Sequence, residues 1–186
     1  MSRLVTAIQA FLVALAMAAP LPAVAASYAD PTALDALFSQ LKSASDAEAA
    51  AKITDQIWQL WFTPNVPALA EQMTKSAAAL ATGDVKGAKA VLDQVIATYP
   101  DYAEGWNQRA TLEYEIGDLT GSLADIEKTL ALEPRHFGAL SGRVLIYLQQ
   151  GRRADALADM IAALAIDPYL SEKQLFPELQ QESHHI

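Results

Sequence analysis

Arginines and aspartates recur at matched spacings and are the residues in this sequence best suited to ionic chemistry. The interval from Arg109 to Asp125 equals the interval from Arg143 to Asp159, so the same pair occurs twice along the chain. The planar guanidinium of arginine can hold a carboxylate through two parallel hydrogen bonds. A repeated pair favours structural braces between helices, and the alternative is that the arginines bind a carboxylate of a substrate.

The histidines offer two further candidate sites. His136 lies in the segment 133–137, Glu-Pro-Arg-His-Phe, where it could bind a carboxylate or a chain end of a partner. The simpler interpretation is a histidine that caps a helix or packs in the interior. His184 and His185 are adjacent, and adjacent side chains do not easily form a closed metal site, so we interpret them as part of a solvated tail. No metal site is predicted.

Acidic pairs could supply general acid and base chemistry. Glu113 and Glu115 have a single residue between them, and on a helix such side chains diverge by about 200°, which favours a solvated face. The sequence has no Gly-x-Ser-x-Gly elbow, no His-Glu-x-x-His helix and no phosphate-binding glycine loop. We therefore predict no catalytic residues and no cofactor.

Composition and charge narrow the classes of protein and partner. The 186 residues are 52% hydrophobic and 19% charged, as expected for a globular domain. The formal net charge of −9 disfavours nucleic acid and anionic lipid as partners. The absence of cysteine excludes disulfides, thiolate zinc sites and a cysteine nucleophile.

The elements that position these residues are indicated by an internal repeat. Glycines and prolines recur at one shared period, at Gly83, Gly117 and Gly151 and at Pro100, Pro134 and Pro168. Glycine suits a tight turn between two helices because it accepts positive φ, and a proline stops the second helix. Each block is therefore predicted to be a helix, a turn, a helix and a stop.

This pattern resembles the tetratricopeptide repeat (TPR) family over about residues 67–170, since that family repeats with the same period. The second block has Trp106, Ala110 and Gly117 at positions typical of the family, although Ser122 replaces the usual alanine. The resemblance implies an all-α, right-handed α-solenoid of three helix pairs, at about 69–102, 103–136 and 137–170. It also implies that Arg109 and Arg143 lie on the first helix of a pair and Asp125 and Asp159 on the second.

The resemblance further implies a concave groove lined by the first helix of each pair. The residues placed there are a mixture of polar and apolar side chains: Met73, Thr74, Asn107, Gln108, Thr111, Tyr114, Ser141, Leu145 and Leu148. TPR adaptors that bind acidic chain ends use basic residues on this face, and this set contains none. The expected ligand is a weakly charged peptide or helix of a partner protein.

Helical segments flank the repeats. Residues 26–66 are predicted to form an N-terminal helical pair that caps the array, and 171–186 a capping helix followed by a tail. Trp58, Trp61 and Phe62 end the N-terminal pair and could be an exposed docking patch. We favour the interpretation that they fill the space between this cap and the first repeat.

Residues 1–25 have the layout of a secretory signal peptide. Arg3 precedes an apolar stretch over 4–19, and the small-x-small triplet Ala-Val-Ala occupies 23–25. The alternative is a transmembrane anchor, but the stretch is short for a span of roughly 20 residues. We expect cleavage and a periplasmic protein that meets the membrane only through its signal peptide.

The chain as a whole is similar to small exported TPR proteins of Gram-negative bacteria. That similarity implies a non-enzymatic adaptor or scaffold of the cell envelope that binds proteins. A carrier or maturation chaperone for an unfolded client is the main alternative, and an enzyme acting on cell-wall material is a remote one.

Overall fold

The computed structural model describes residues 28–179, which fold into α-helices and short 3-10 segments without a β-strand in this range. The α-helices are α1 (Pro31–Lys42), α2 (Ala47–Phe62), α3 (Pro67–Ala81), α4 (Val85–Thr98), α5 (Ala103–Glu115), α6 (Leu119–Leu132), α7 (Phe137–Gln149) and α8 (Arg153–Ile166). The predicted all-α class is confirmed. The predicted signal peptide, 1–25, and the histidines His184 and His185 lie outside the described residues.

The repeated glycines make the turns within the helix pairs. Gly83, Gly117 and Gly151 have φ values of 76°, 85° and 71°, a left-handed conformation that costs glycine little. The next residue caps the second helix in the first two pairs, since Asp84 accepts a hydrogen bond from the Gly87 N–H and Asp118 does the same for Gly121. The repeat period thus places one turn in each pair.

Helices α3 to α8 form three antiparallel pairs, and α4 packs on α5 and α6 on α7, as in a solenoid. Small residues allow close approach between the second and third pairs, where Ala110, Ala139 and Ile146 share a buried cluster. Ser122, which departs from the family pattern, is buried there too. Its hydroxyl donates to the Ala110 carbonyl at 2.8 Å, so the substitution leaves no unpaired polar group.

The N-terminal pair, α1 and α2, packs across the ends of the repeats and most extensively on the third, and this corrects the expected position beside the first. The cluster around Trp61 includes Phe137, Ile166 and Leu170 from the third repeat and, among the described residues, none from α3 or α4. Phe137 contacts Trp61 with ring centroids 5.3 Å apart. Flat aromatic surfaces therefore determine where the pair docks, which helical periodicity within α1 and α2 cannot reveal.

The docking surface for α2 consists of three residues, one from the same position in each of the three repeats. Tyr102, His136 and Leu170 occupy equivalent positions in the successive repeats, and we call them the docking row. The Tyr102 hydroxyl donates to the Trp61 carbonyl at 2.6 Å, the His136 ring stacks on Trp61 with centroids 4.1 Å apart, and Leu170 packs in the same cluster. The solenoid thus holds α2 across the starts of α5 and α7.

The C-terminal cap also differs from the expected helix. Two 3-10 segments, Ser171–Leu175 and Pro177–Leu179, follow α8 within the described range. Phe176 lies between them, is fully buried, and completes the core of the third pair, with the Arg153 guanidinium over its ring. Pro177 cannot donate the hydrogen bond that a continuing helix needs, so the segment turns there.

Glycine at position 138 permits the close approach of α2 to α7. A Cβ atom at Gly138 would lie 2.5 Å from the ring of Trp58. We therefore expect Gly138→Ala to lower the free energy of unfolding by about 1–3 kcal/mol through overpacking. Gly142→Ala is the matched control one turn later, where the new Cβ would meet Ile126 at an ordinary 3.7 Å.

Chemical denaturation of both variants measures this difference. The control is expected to be neutral, or more stable by up to about 1 kcal/mol, since alanine favours helix over glycine. Equal stability of the two variants would show that Trp58 moves without cost and that the α2–α7 contact is not tight.

Candidate functional site

A cavity of about 730 Å³ lies between α2, α5 and α7, and we call it the α2–α5–α7 cavity. Its α2 wall carries small residues and two aromatic rings: Ala47, Ala50, Ala51, Thr54, Trp58 and Phe62. Residues of the segment after α8 and of the second and third repeats complete the lining. The N-terminal pair therefore turns an open face of the solenoid into a walled site.

Most of the groove residues predicted from the sequence come together in this cavity. Those that line it are Asn107, Gln108, Thr111, Tyr114, Ser141 and Leu145. The structure does not bring Met73, Thr74 or Leu148 there. Met73 is 5% exposed in the core of the first pair, Leu148 packs in the third-pair core, and the exposed Thr74 hydroxyl donates to the Ala70 carbonyl.

A buried hydrogen-bond network fixes the polar residues at the start of α5. Glu104 is 1% exposed and accepts hydrogen bonds from the side-chain amides of Asn107 and Gln108. His136 Nε2 lies 2.9 Å from the same carboxylate, while its Nδ1 accepts from the Ala139 N–H at 3.0 Å. The proton of this imidazole is therefore on Nε2, which donates to Glu104.

His136 thus caps α7 and does not face a partner, since its side chain is fully buried. This is the capping alternative of the sequence interpretation. Sequence reasoning missed Glu104, because the equivalent position of the next repeat is Gly138 and the acid therefore has no counterpart there. Its one available signal was an acidic residue in the first turn of a helix, which is too common to indicate a network.

The arginine and aspartate pairs form the braces that their spacing predicts. Arg109 binds Asp125 through Nε and Nη2 at 2.6 and 2.8 Å, and Arg143 binds Asp159 in the same way at 2.6 and 2.7 Å. Hydrogen bonding to the aspartate raises the pKa of each guanidinium. Arg109 also binds Asp93 of α4 at 2.8 Å, which joins the first repeat to the second.

Glu113 is buried, which corrects its interpretation as part of a solvated face. It is 5% exposed, with the Lys89 ammonium 3.4 Å from one oxygen, and the other oxygen has no partner in the described part of the chain. Burial and the nearby Asp125 raise the pKa of its carboxyl, and Lys89 partly offsets this. Glu115 is exposed and lines the cavity.

The electrostatic character of the cavity is acidic. Within the described range its lining contains Glu115, Asp167 and Glu172 but no lysine, arginine or histidine. Asp167 is 4% exposed and accepts a hydrogen bond from the Tyr169 N–H at 2.9 Å. Burial raises the pKa of its carboxyl. The buried Ser141 hydroxyl in the α7 wall has no hydrogen-bond partner among residues 28–179.

This arrangement is suited to binding. Both ring nitrogens of His136 are engaged, so the one histidine of the described region cannot serve Ser141 as a base. No group of three potential metal ligands occurs in residues 28–179. In the same range, every helix is too short or too polar to cross a bilayer.

Comparisons with known proteins agree with the repeat architecture. A tetratricopeptide repeat family model matches residues 74–127 and 107–171, which together exceed half of the chain. A TPR repeat-containing protein of Rhizobium etli is 38% identical over 81 residues, 44% of this chain and 40% of that protein. The match therefore spans less than half of that relative's length.

A solved structure supports the same fold. The crystal structure of MamA superposes with a TM-score of 0.50 and 18% identity, covering 83% of this chain and 84% of that chain. At this identity the likeness concerns the fold alone. Together with the turn glycines, the three helix pairs and the family match, these findings show that the chain belongs to the tetratricopeptide repeat family, whose fold mediates protein–protein interaction.

Proposed function

We propose that this protein is an exported, non-catalytic TPR protein of the cell envelope that holds a weakly charged peptide or helix of a partner protein in the α2–α5–α7 cavity. The observation that carries the proposal is the cavity itself, which α2 walls against the second and third repeats. Its volume of about 730 Å³ falls in the range of about 300–1,000 Å³ that is usual for small-molecule sites, so the cavity itself would take a short stretch of the partner.

The lining favours an extended or helical peptide over a highly charged ligand. Exposed aromatic surface is available at Phe62 and Tyr114, which are 40% and 36% exposed. Aromatic side chains supply much of the energy at protein interfaces because they bury large areas at low entropic cost. Leu145 and the alanines of α2 provide apolar surface for side chains of the partner, and the Ser141 hydroxyl has no partner within the described part of the chain.

The location is the part of the proposal that rests on the sequence alone. The apolar stretch and the Ala-Val-Ala triplet within residues 1–25 support export and cleavage. N-terminal sequencing of the protein from the periplasmic fraction tests it. A start near residue 26 supports export, and an intact Met1 in the cytoplasmic fraction contradicts it.

A single charge placed in the cavity wall tests the binding proposal. Peptides are first selected on the wild-type chain from a random phage-displayed library. We expect Leu145→Arg to weaken the binding of these peptides by at least about tenfold, because the arginine occupies apolar space. Ile161→Arg is the matched control, since Ile161 is 52% exposed on α8 and does not line the cavity. Fluorescence anisotropy with the selected peptides measures both affinities.

The choice of residues follows from the structure. Asn107 holds Glu104, and Leu148 packs in the third-pair core, so changes at those positions would report on folding. Equal affinity of the Leu145→Arg and wild-type proteins would place the binding surface elsewhere. An equal loss in the Ile161→Arg control would also contradict the proposal.

A further inference from the structure

We infer that the partner segment presents a lysine or arginine side chain to the end of the α2–α5–α7 cavity formed by Asp167 and Glu172, beside an apolar side chain placed against the α2 wall. This inference rests on the proposed function and specifies its ligand. Three observations on residues 28–179 carry it: the carboxylates of the cavity lack cationic partners there, a buried hydroxyl is unpaired, and the lining contains no basic residue.

The first observation is a contrast between the aspartates that brace the helix pairs and the carboxylates that line the cavity. Buried aspartates of the repeats have basic partners, as Asp125 has Arg109 and Asp159 has Arg143. Asp167 is as deeply buried as Asp125, at 4% exposure, yet within the described residues no lysine or arginine lies within ion-pair distance of it. Its hydrogen bond comes from a backbone N–H.

An unpaired buried carboxylate is unfavourable for folding, which makes its position informative. Removing a charge from water costs free energy unless an opposite charge or hydrogen bonds compensate. Burial, the largest influence on Asp167, raises the pKa of its carboxyl, and the neighbouring Glu172 adds to the effect. A cation bound beside Asp167 would stabilise the ionised carboxylate and so offset both its burial and the repulsion from Glu172.

The second observation is independent of charge. Ser141 is 6% exposed, lines the cavity on α7, and its hydroxyl has no hydrogen-bond partner in the described part of the chain. Buried hydroxyls are normally paired, and an exception in a cavity wall leaves a hydrogen bond that a water molecule or a ligand would complete. The serine can accept from a peptide N–H or donate to a peptide carbonyl.

The third observation gives the sign of the ligand's charge. The lining contains Glu115, Asp167 and Glu172 and, within residues 28–179, no lysine, arginine or histidine. An anionic ligand such as an acidic chain end would meet like charge from every ionised group of the wall. A cationic side chain would complement all three carboxylates. This complementarity would speed association and favour a basic side chain over an acidic one.

Peptide selection on the full chain tests the inference. Peptides are selected from a random phage-displayed library on the wild-type protein and on Leu145→Arg, and those that depend on Leu145 are synthesised. We expect lysine or arginine to be enriched beside an aromatic or aliphatic residue. Replacing that basic residue by glutamine should weaken binding at least about tenfold, and Asp167→Asn should do the same.

A double-mutant cycle then shows whether the two changes act on one contact. If they do, the glutamine peptide and the Asp167→Asn protein together lose little more than either alone. Asp167→Asn keeps an oxygen for the Tyr169 N–H and removes an unpaired buried charge, so its denaturation midpoint should not fall. Lost binding with an unchanged or raised midpoint therefore excludes a folding defect.

The outcomes separate this inference from the proposed function. Leu145-dependent peptides without enriched basic residues, or with affinity unaffected by Asp167→Asn, would overturn the inference and leave the cavity as a binding site. If no selected peptide depends on Leu145, both the inference and the proposed function are wrong.

Discussion

Trp61→Ala is expected to lower the free energy of unfolding by about 3–5 kcal/mol, the range for removing a large buried aromatic side chain. Trp61 is 5% exposed and stacks on His136 with an interplanar angle of 8°. It also contacts Phe38 and Phe137, so the change removes packing on both sides of the interface between α2 and the repeats. The N-terminal pair should detach, and the cavity should lose its α2 wall.

Trp106→Ala is the matched control for this change. Trp106 belongs to α5, is partly buried, donates its indole N–H to the Pro100 carbonyl, and does not belong to the described cluster around Trp61. Urea denaturation followed by circular dichroism gives the stabilities, and hydrogen exchange of the α2 amides reports on detachment. A Trp61→Ala protein with α2 as protected as in wild type would contradict the packing described.

Arg109→Met is expected to cost about 3 kcal/mol, near the lower end of the range for breaking a buried ion pair. The side chain of Asp125 is 5% exposed, so it would keep its charge in the interior without its bidentate partner. The Arg109 side chain retains 20% exposure, which lets water reach the site and limits the loss. The link to Asp93 is also lost, which loosens the contact between α4 and α5.

A second substitution distinguishes two causes of the lost stability: the loss of the arginine's own contacts and the unpaired charge that remains on Asp125. The double variant Arg109→Met with Asp125→Leu should recover most of the lost stability, because no charge then remains buried without a partner. Arg143→Met should cost less than Arg109→Met, since Arg143 binds Asp159 without a second aspartate among the described ion pairs. A double variant as unstable as the single one would show that the braces act by some means other than charge pairing.

The parts of the fold that could be predicted from the sequence are those that repeat with it. Gly83, Gly117 and Gly151 occupy the same backbone conformation, and Arg109 and Arg143 each bind the aspartate that follows at the same interval. Periodic spacing reports such local contacts because each repeat is one helical hairpin. The family resemblance that rests on this period also placed six of the nine predicted groove residues, all on α5 and α7, in the lining of the cavity.

What could not be predicted depends on contacts between segments distant in the sequence. The position of α2 is determined by Trp61 against Tyr102 and His136, and nothing in the periodicity of α2 indicates which repeat it meets. The burial of Glu113 arises from the packing of α4, α5 and α6 around it, which an acidic residue on a helix does not signal. The resemblance to the TPR family places Met73 in the groove, but in the structure Met73 fills the core of the first pair.

The docking row shows what a closer comparison of the repeats could have found. Tyr102, His136 and Leu170 occupy one repeat position and are all large residues next to the start of a helix or the segment after α8. A position that stays large where the family pattern does not require it indicates a shared external contact. Here that contact is the N-terminal pair, and its docking creates the cavity.

Site-specific photo-crosslinking in cells tests the central claim, binding of a partner in the α2–α5–α7 cavity, most directly. A photoreactive p-benzoylphenylalanine replaces the exposed aromatic Tyr114 in the cavity wall or Ile161 on the exposed face of α8. We predict one defined adduct from position 114, identified by mass spectrometry and lost when Trp61→Ala is added, and none from position 161. Equal adducts from both positions, or an adduct from 161 alone, would contradict the claim.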